Sequence, residues 1–209
     1  MDIELFNNFL KCLILYFVVI DPLGTSVIFL SVFPNIKDNK YKVAIEATFY
    51  AFIILVFFLI LGEIMLSYLN IYIYAFKISG GILLLLISIE MLFDKRSKRR
   101  KRIFSNDEIS TAIFPLAIPL LAGPASITSV ILTSQSNTKN INILITNISA
   151  LFFVLLITLV ILLLTVRTER FINKKVLQVF SRLIAIILSA LSIQLIIDGI
   201  TDFIKLNFY

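Results

Sequence analysis

Residues 151–166 read LFFVLLITLVILLLTV, with neither a charge nor a proline. Similar apolar runs fill 51–61 and 82–89. A helix needs roughly 20 mostly apolar residues to cross a bilayer, and at that depth the backbone has to satisfy its own hydrogen bonds. Recurrent runs of this kind point to an all-α polytopic membrane protein. Composition agrees. The chain is 59% hydrophobic and 15% charged, whereas soluble domains lie near half and about a quarter. Six spans are expected, at 5–33, 43–69, 72–93, 111–132, 141–166 and 177–203. Short connections make 1–209 a single membrane domain. The opening MDIELF lacks a basic stretch and a small-residue cleavage site, so the first segment is expected to stay as a helix. Cys12 is the only cysteine, which excludes a disulfide within the chain.

Lys and Arg in short loops set orientation. Lys37, Lys40 and Lys42 follow the first span, and Arg167, Arg170, Lys174 and Lys175 follow the fifth. After the third comes KRSKRRKR, basic at every position from Lys95 to Arg102 except Ser97. The opposite side offers Lys139 and Lys205, with Lys77 just inside the third span. Both termini are therefore expected outside the cytoplasm. The same loops account for the net charge of +6. A topology anchor against anionic lipid explains the basic run without nucleic acid, so the bilayer is the expected partner and nucleic acid is not.

The third and sixth spans resemble each other. FKISGGILLLLISIEMLFD aligns with FSRLIAIILSALSIQLIID, so that Phe76 meets Phe180 and Asp94 meets Asp198. In the first and fourth spans Pro22 meets Pro124. An odd number of spans per half inserts the halves in opposite senses. The expected architecture is a 3+3 inverted repeat, 1–94 and 105–209, with spans one and four interrupted. Matching breaks in corresponding helices are a pattern of secondary transporters.

The breaks carry the candidate site. Asp is a favoured N-cap and Pro a favoured first helical residue, so Asp21–Pro22 marks a helix start inside the bilayer. Gly123–Pro124 repeats it. Each start presents N–H groups and the positive end of a helix dipole, a setting that suits a small carboxylate. The expected substrate-binding residues are Asp21, Pro22, Leu23, Gly24 and Thr25 from the first break, and Gly123, Pro124, Ala125 and Ser126 from the second. The amides of Leu23 and Ala125 are expected to line one cavity. The expected ligand is a small zwitterionic solute, with Asp21 holding its ammonium or a coupling proton.

The segments DPLGTSVIFLSVF, AFKISGGILLLLISIEMLF and PLAIPLLAGPASITSVIL resemble the signature segments of MarC-type membrane proteins. That family is similar to a small neutral amino acid transporter group and distantly to exporters of the LysE kind. The resemblance covers nearly the whole chain. It implies a six-span prokaryotic inner-membrane protein with a 3+3 inverted repeat, and transport of glycine or alanine. It places Asp21, Pro22 and Gly24 in the first broken helix and Gly123 and Pro124 in the second. Gly80 and Gly81 fall at a close-packing point of the third span. Where the family often shows Asn and Pro shortly after the first Gly, this chain has Thr25, Ser26 and Val27.

Other polar residues divide between roles. Glu46, Glu63, Asp198 and Asp202 lie near span ends and read as interfacial. Glu90 lies deeper and serves either packing or coupling. Pro115 and Pro119 read as kinks, and Gly80 and Gly81 as helix-packing residues. The chain contains no His, which excludes Ser–His and Cys–His nucleophile pairs and HExxH zinc sites. No cofactor, metal or enzymatic activity is expected. A membrane regulator or structural protein is the alternative, and an Asp21–Glu90 dyad leaves an intramembrane hydrolase as a weaker one.

Overall fold

The computed structural model describes residues 2–32, 40–93, 120–134, 141–168 and 174–208. Among these residues there are seven helices: α1 Asp2–Ile20, α2 Pro22–Val32, α3 Lys40–Tyr68, α4 Ile73–Leu92, α5 Pro124–Ser134, α6 Ile141–Arg167 and α7 Lys174–Phe208. Five segments are long and apolar enough to cross a membrane. They are Ile3–Leu30, α3, α4, α6 and Val176–Leu206, and α5 is a shorter apolar helix. The basic run 95–102, the repeat boundary at 94–105, and Pro115 and Pro119 lie outside the described residues. α7 extends beyond the expected 177–203 at both ends.

Large apolar side chains face outward along the long helices. Phe49, Ile53, Phe57, Ile60 and Ile64 are exposed on one side of α3, while Ala44, Ala47, Ala51, Leu55 and Leu59 are buried on the other. Both faces are apolar, as suits a helix with lipid on one side and protein on the other. The alanines let α3 lie close against α6, whose Ala150, Leu151 and Val154 belong to the same buried cluster.

α3 ends where Asn70 turns left-handed (φ 52°). The Asn70 N–H bonds the Ser67 carbonyl at 3.0 Å and the Ile71 N–H bonds that of Leu66 at 2.9 Å. These reversed bonds satisfy carbonyls the helix would otherwise orphan and return the chain into α4. α4 then packs along α7. A Cβ on Gly81 would stand 2.8 Å from the Ser192 carbonyl, and one on Gly199 2.8 Å from that of Tyr74. The missing side chains are what bring these helices together. Gly80 meets the Thr128 methyl of α5 instead. Lys77 bonds Asp202 at 2.8 Å across the α4–α7 pair.

α2 and the C-terminal end of α1 fill the middle of the bundle. α1 lies against α5 and α6, and α2 against α6 and α7. Asn147, fully buried on α6, ties three helices through its amide. Its oxygen accepts from Asn8 at 2.9 Å and Cys12 at 3.1 Å, and its nitrogen donates to the Thr133 carbonyl at 3.1 Å. Such a satisfied network is the form in which polar groups persist at this depth.

Candidate functional site

α1 runs unbroken to Ile20, and the Asp21 N–H still bonds the Phe17 carbonyl at 3.0 Å. Asp21 then adopts φ 49°, a left-handed conformation that Asp tolerates better than most side chains. Pro22 follows as the first residue of α2, where its missing N–H costs nothing. The Thr25 N–H bonds the Asp21 carbonyl at 2.9 Å, closing the first turn of α2. The Thr25 hydroxyl donates back to the Ile20 carbonyl at 3.0 Å. Asp21 thus ends one helix and caps the next.

Its side chain is 1% exposed. One carboxylate oxygen accepts from the Gly24 N–H at 3.1 Å, and the other from the Ser181 hydroxyl on α7 at 2.7 Å. The Gly24 amide is therefore engaged by the chain's own carboxylate. The amides after Pro22 are expected to hold a ligand carboxylate, and in this structure the Gly24 one is occupied by Asp21. Gly24 is a glycine for a visible reason: a Cβ there would run into the Asp21 carboxylate and stand 2.6 Å from the Ser181 hydroxyl. Asp21, Gly24, Ser181, Gln178 and Arg182 share the lining of a cavity of about 30 Å³ with Met91 of α4. That is room for water.

The second helix start differs. The Ile127 N–H bonds the Gly123 carbonyl at 2.9 Å, so Gly123 begins α5 as its N-cap without a side chain. Gly123 is buried and Pro124 exposed. Ala125 belongs to a buried apolar cluster with Val18, Val19, Leu84, Ala185 and Leu188. Ser126 is 3% exposed. Neither Leu23 nor residues 123–126 line the Asp21 cavity, whose walls come from α2, α4 and α7. The two breaks still approach through the end of α1, since Val18 and Val19 share that cluster with Ala125. Glu90 is half-buried on α4, next to Met91.

A second, larger cavity of about 320 Å³ lies between α1, α4, α5 and α7. Lys11 and Asp198 reach it from opposite helices, and Ser129 of α5 lines it. Asp198, expected at an interface, sits on this cavity with its carboxylate oxygen 2.8 Å from the Gln194 amide. Among the described residues no group of three His, Cys, Asp or Glu side chains forms a metal site.

Lys11, Gln178, Ser181 and Arg182 are the cavity residues that loop-by-loop reading misses. Lys11 and Arg182 fall inside the expected spans 5–33 and 177–203, and a tally of loop charges passes over them. The available signal is their position. Lys11 lies six residues and Arg182 five residues inside the expected spans, within snorkelling reach of the interface, so each is a polar group at the rim of an otherwise apolar segment.

The fold and these cavities define a polytopic helical membrane protein with the Asp21 carboxylate buried inside the bundle. The profile of the "MarC family integral membrane protein" matches residues 6–204, and the chain belongs to that family. A "UPF0056 membrane protein" of Buchnera aphidicola subsp. Baizongia pistaciae is 36% identical over 190 residues, covering 90% of this chain and 93% of the relative. One from Aquifex aeolicus is 30% identical over 203 residues, 94% of each chain. The "UPF0056 inner membrane protein YhgN" of Escherichia coli K12 is 30% identical over 200 residues, 95% of this chain and 99% of the relative. No solved structure matches.

Proposed function

We propose that this protein is a secondary transporter of small neutral amino acids, such as glycine or alanine, in a prokaryotic plasma membrane. One observation carries the reading: a buried carboxylate, Asp21, sits at a junction between two helices and borders a cavity. Non-helical backbone and charge at membrane depth are tolerated where they line such a space.

The packing supports the inverted 3+3 arrangement with interrupted first and fourth spans. Exchanging α2 with α5, α3 with α6 and α4 with α7 maps the larger contacts among these six helices onto one another. α2 lies on α6 and α7, α5 lies on α3 and α4, and the α3–α6 and α4–α7 pairs map onto themselves. Basic loops after spans one, three and five favour a topology with both termini outside. A reporter that shines only in the cytoplasm is therefore expected to stay dark when fused after Tyr209.

The chemistry centres on competition for Asp21. Its carboxylate holds the Gly24 N–H and the Ser181 hydroxyl. A substrate ammonium or a coupling proton neutralises that carboxylate and loosens the cap, and the Gly24 amide then becomes a donor for a substrate carboxylate at the positive end of α2. A cavity of about 30 Å³ is closed to an amino acid, so loading requires one half to rock against the other.

The test is uptake of labelled glycine and alanine by proteoliposomes, with and without a pH gradient. Accumulation that needs the gradient is expected. Folded protein that moves neither solute under any gradient would overturn the reading and favour a regulatory or structural role.

A further inference from the structure

The 320 Å³ cavity has no part in the Asp21 site. Its charged residues stand on facing helices, Lys11 on α1 and Asp198 on α7. Among the described residues no ion pair joins them. Between them the wall is apolar, with Leu15, Leu132 and Leu195. Lys11 is exposed on α1 inside a membrane-length segment, Ile3–Leu30. Near the start of that segment its ammonium reaches the interface along its own stem, and the cavity it lines offers it a polar partner on the facing wall. Gln194 fixes one oxygen of Asp198 at 2.8 Å, one helical turn away, and so orients the carboxylate. The arrangement is one cation, one anion and an apolar surface around a single space.

We propose that this cavity binds a neutral α-amino acid with a leucine-sized apolar side chain, its carboxylate on the Lys11 ammonium, its ammonium on the Asp198 carboxylate and its side chain on the leucine wall. The volume fits the assignment. A dry cavity of about 150 Å³ already takes a benzene, and ligand sites begin near 300 Å³. Glycine or alanine would leave the apolar wall uncovered, so the site favours larger side chains. One methylene in an apolar pocket is worth roughly tenfold or more. The cavity also has a place in a path. Leu84 lines it and belongs to the apolar cluster containing Val18, Val19 and Ala125, and Met91 of the same cluster lines the Asp21 cavity. A dry layer thus separates a larger loading cavity from the small one at Asp21. That passage rests on the transporter reading, but binding does not.

The experiment is equilibrium binding of labelled L-leucine to the full chain in phosphatidylcholine nanodiscs, without a gradient. Leucine is expected to bind at least tenfold more tightly than alanine. It should also bind at least tenfold more tightly than 4-methylpentanoate, which lacks the ammonium, or isopentylamine, which lacks the carboxylate. Lys11→Met and Asp198→Asn are each expected to weaken leucine at least tenfold. The analogue series on the unaltered chain keeps the test decisive if a variant misfolds. Equal binding of 4-methylpentanoate, or an acyl chain that leucine fails to displace, would make this an anion or lipid site and overturn the proposal. Leucine binding without glycine or alanine flux removes the transporter reading alone. Such flux without leucine binding removes this site alone.

Discussion

Both α2 and α5 begin with a proline one residue after a buried N-cap, yet the two starts have different chemistry. At the first, the capping residue is Asp21, left-handed, its carboxylate held by the Gly24 N–H and the Ser181 hydroxyl beside a cavity. At the second, the capping residue is Gly123. No glycine among the described residues takes a positive φ, and Ala125 packs into a dry cluster. The residue chosen for backbone freedom does not use it, and the residue with a charged side chain adopts the strained conformation. Chain geometry alone does not require Asp21. Its carboxylate is what distinguishes the two starts, and the third position of each helix follows from it. Gly24 leaves room for that carboxylate, whereas Ser126 occupies the matching place in α5.

The sharpest way to break this comparison is Asp21→Asn. Asn caps a helix and tolerates the left-handed region, so folded yield and thermal midpoint are expected to stay near wild type. Flux in proteoliposomes is expected to fall at least ~100-fold. Wild-type flux would reduce Asp21 to a cap and erase the difference between the starts.

A swap at the third positions comes next. Gly24→Ser puts a side chain where the Asp21 carboxylate and the Ser181 hydroxyl already sit. It is expected to destabilise by about 1–3 kcal/mol, the usual range for overpacking, read as a lower thermal midpoint in detergent. Ser181→Ala removes one donor to a charged acceptor and is expected to cost about 1.5 kcal/mol, because the Gly24 N–H still holds the other oxygen. The smallest effect is expected at the second start. Ser126→Gly should cost only ~0.5 kcal/mol, the helix-propensity difference. A loss there as large as that at Gly24 would mean that the α5 start carries a comparable demand.

Much of the first start is legible in the sequence. Asp followed by Pro inside an apolar run specifies a cap and a first helical residue, and the bonds at Gly24 and Thr25 are those such a cap makes. Ser181 is not legible, because it lies 160 residues from Asp21 and depends on how α7 is rotated against α2. The occupation of the Gly24 amide by Asp21 is local, but choosing between self-capping and an open anion site needs the side-chain geometry. Asp198 reads as interfacial in the sequence and Lys11 draws no notice there, because their meeting on one cavity depends on the packing of α1 against α7.

By itself the sequence determines the membrane class, the stretches that become long helices and the helix starts at Pro22 and Pro124. These depend on hydropathy summed along a span and on capping within a few residues, interactions that short stretches of chain carry. The tertiary structure decides which start is polar and which is dry, that Gly81 and Gly199 bring α4 and α7 into contact, and that Lys11 and Asp198 face one space. Those outcomes depend on the rotation and approach of helices distant in sequence. Every long helix here has apolar residues on its lipid-facing and protein-facing sides alike, so hydropathy alone does not specify that rotation.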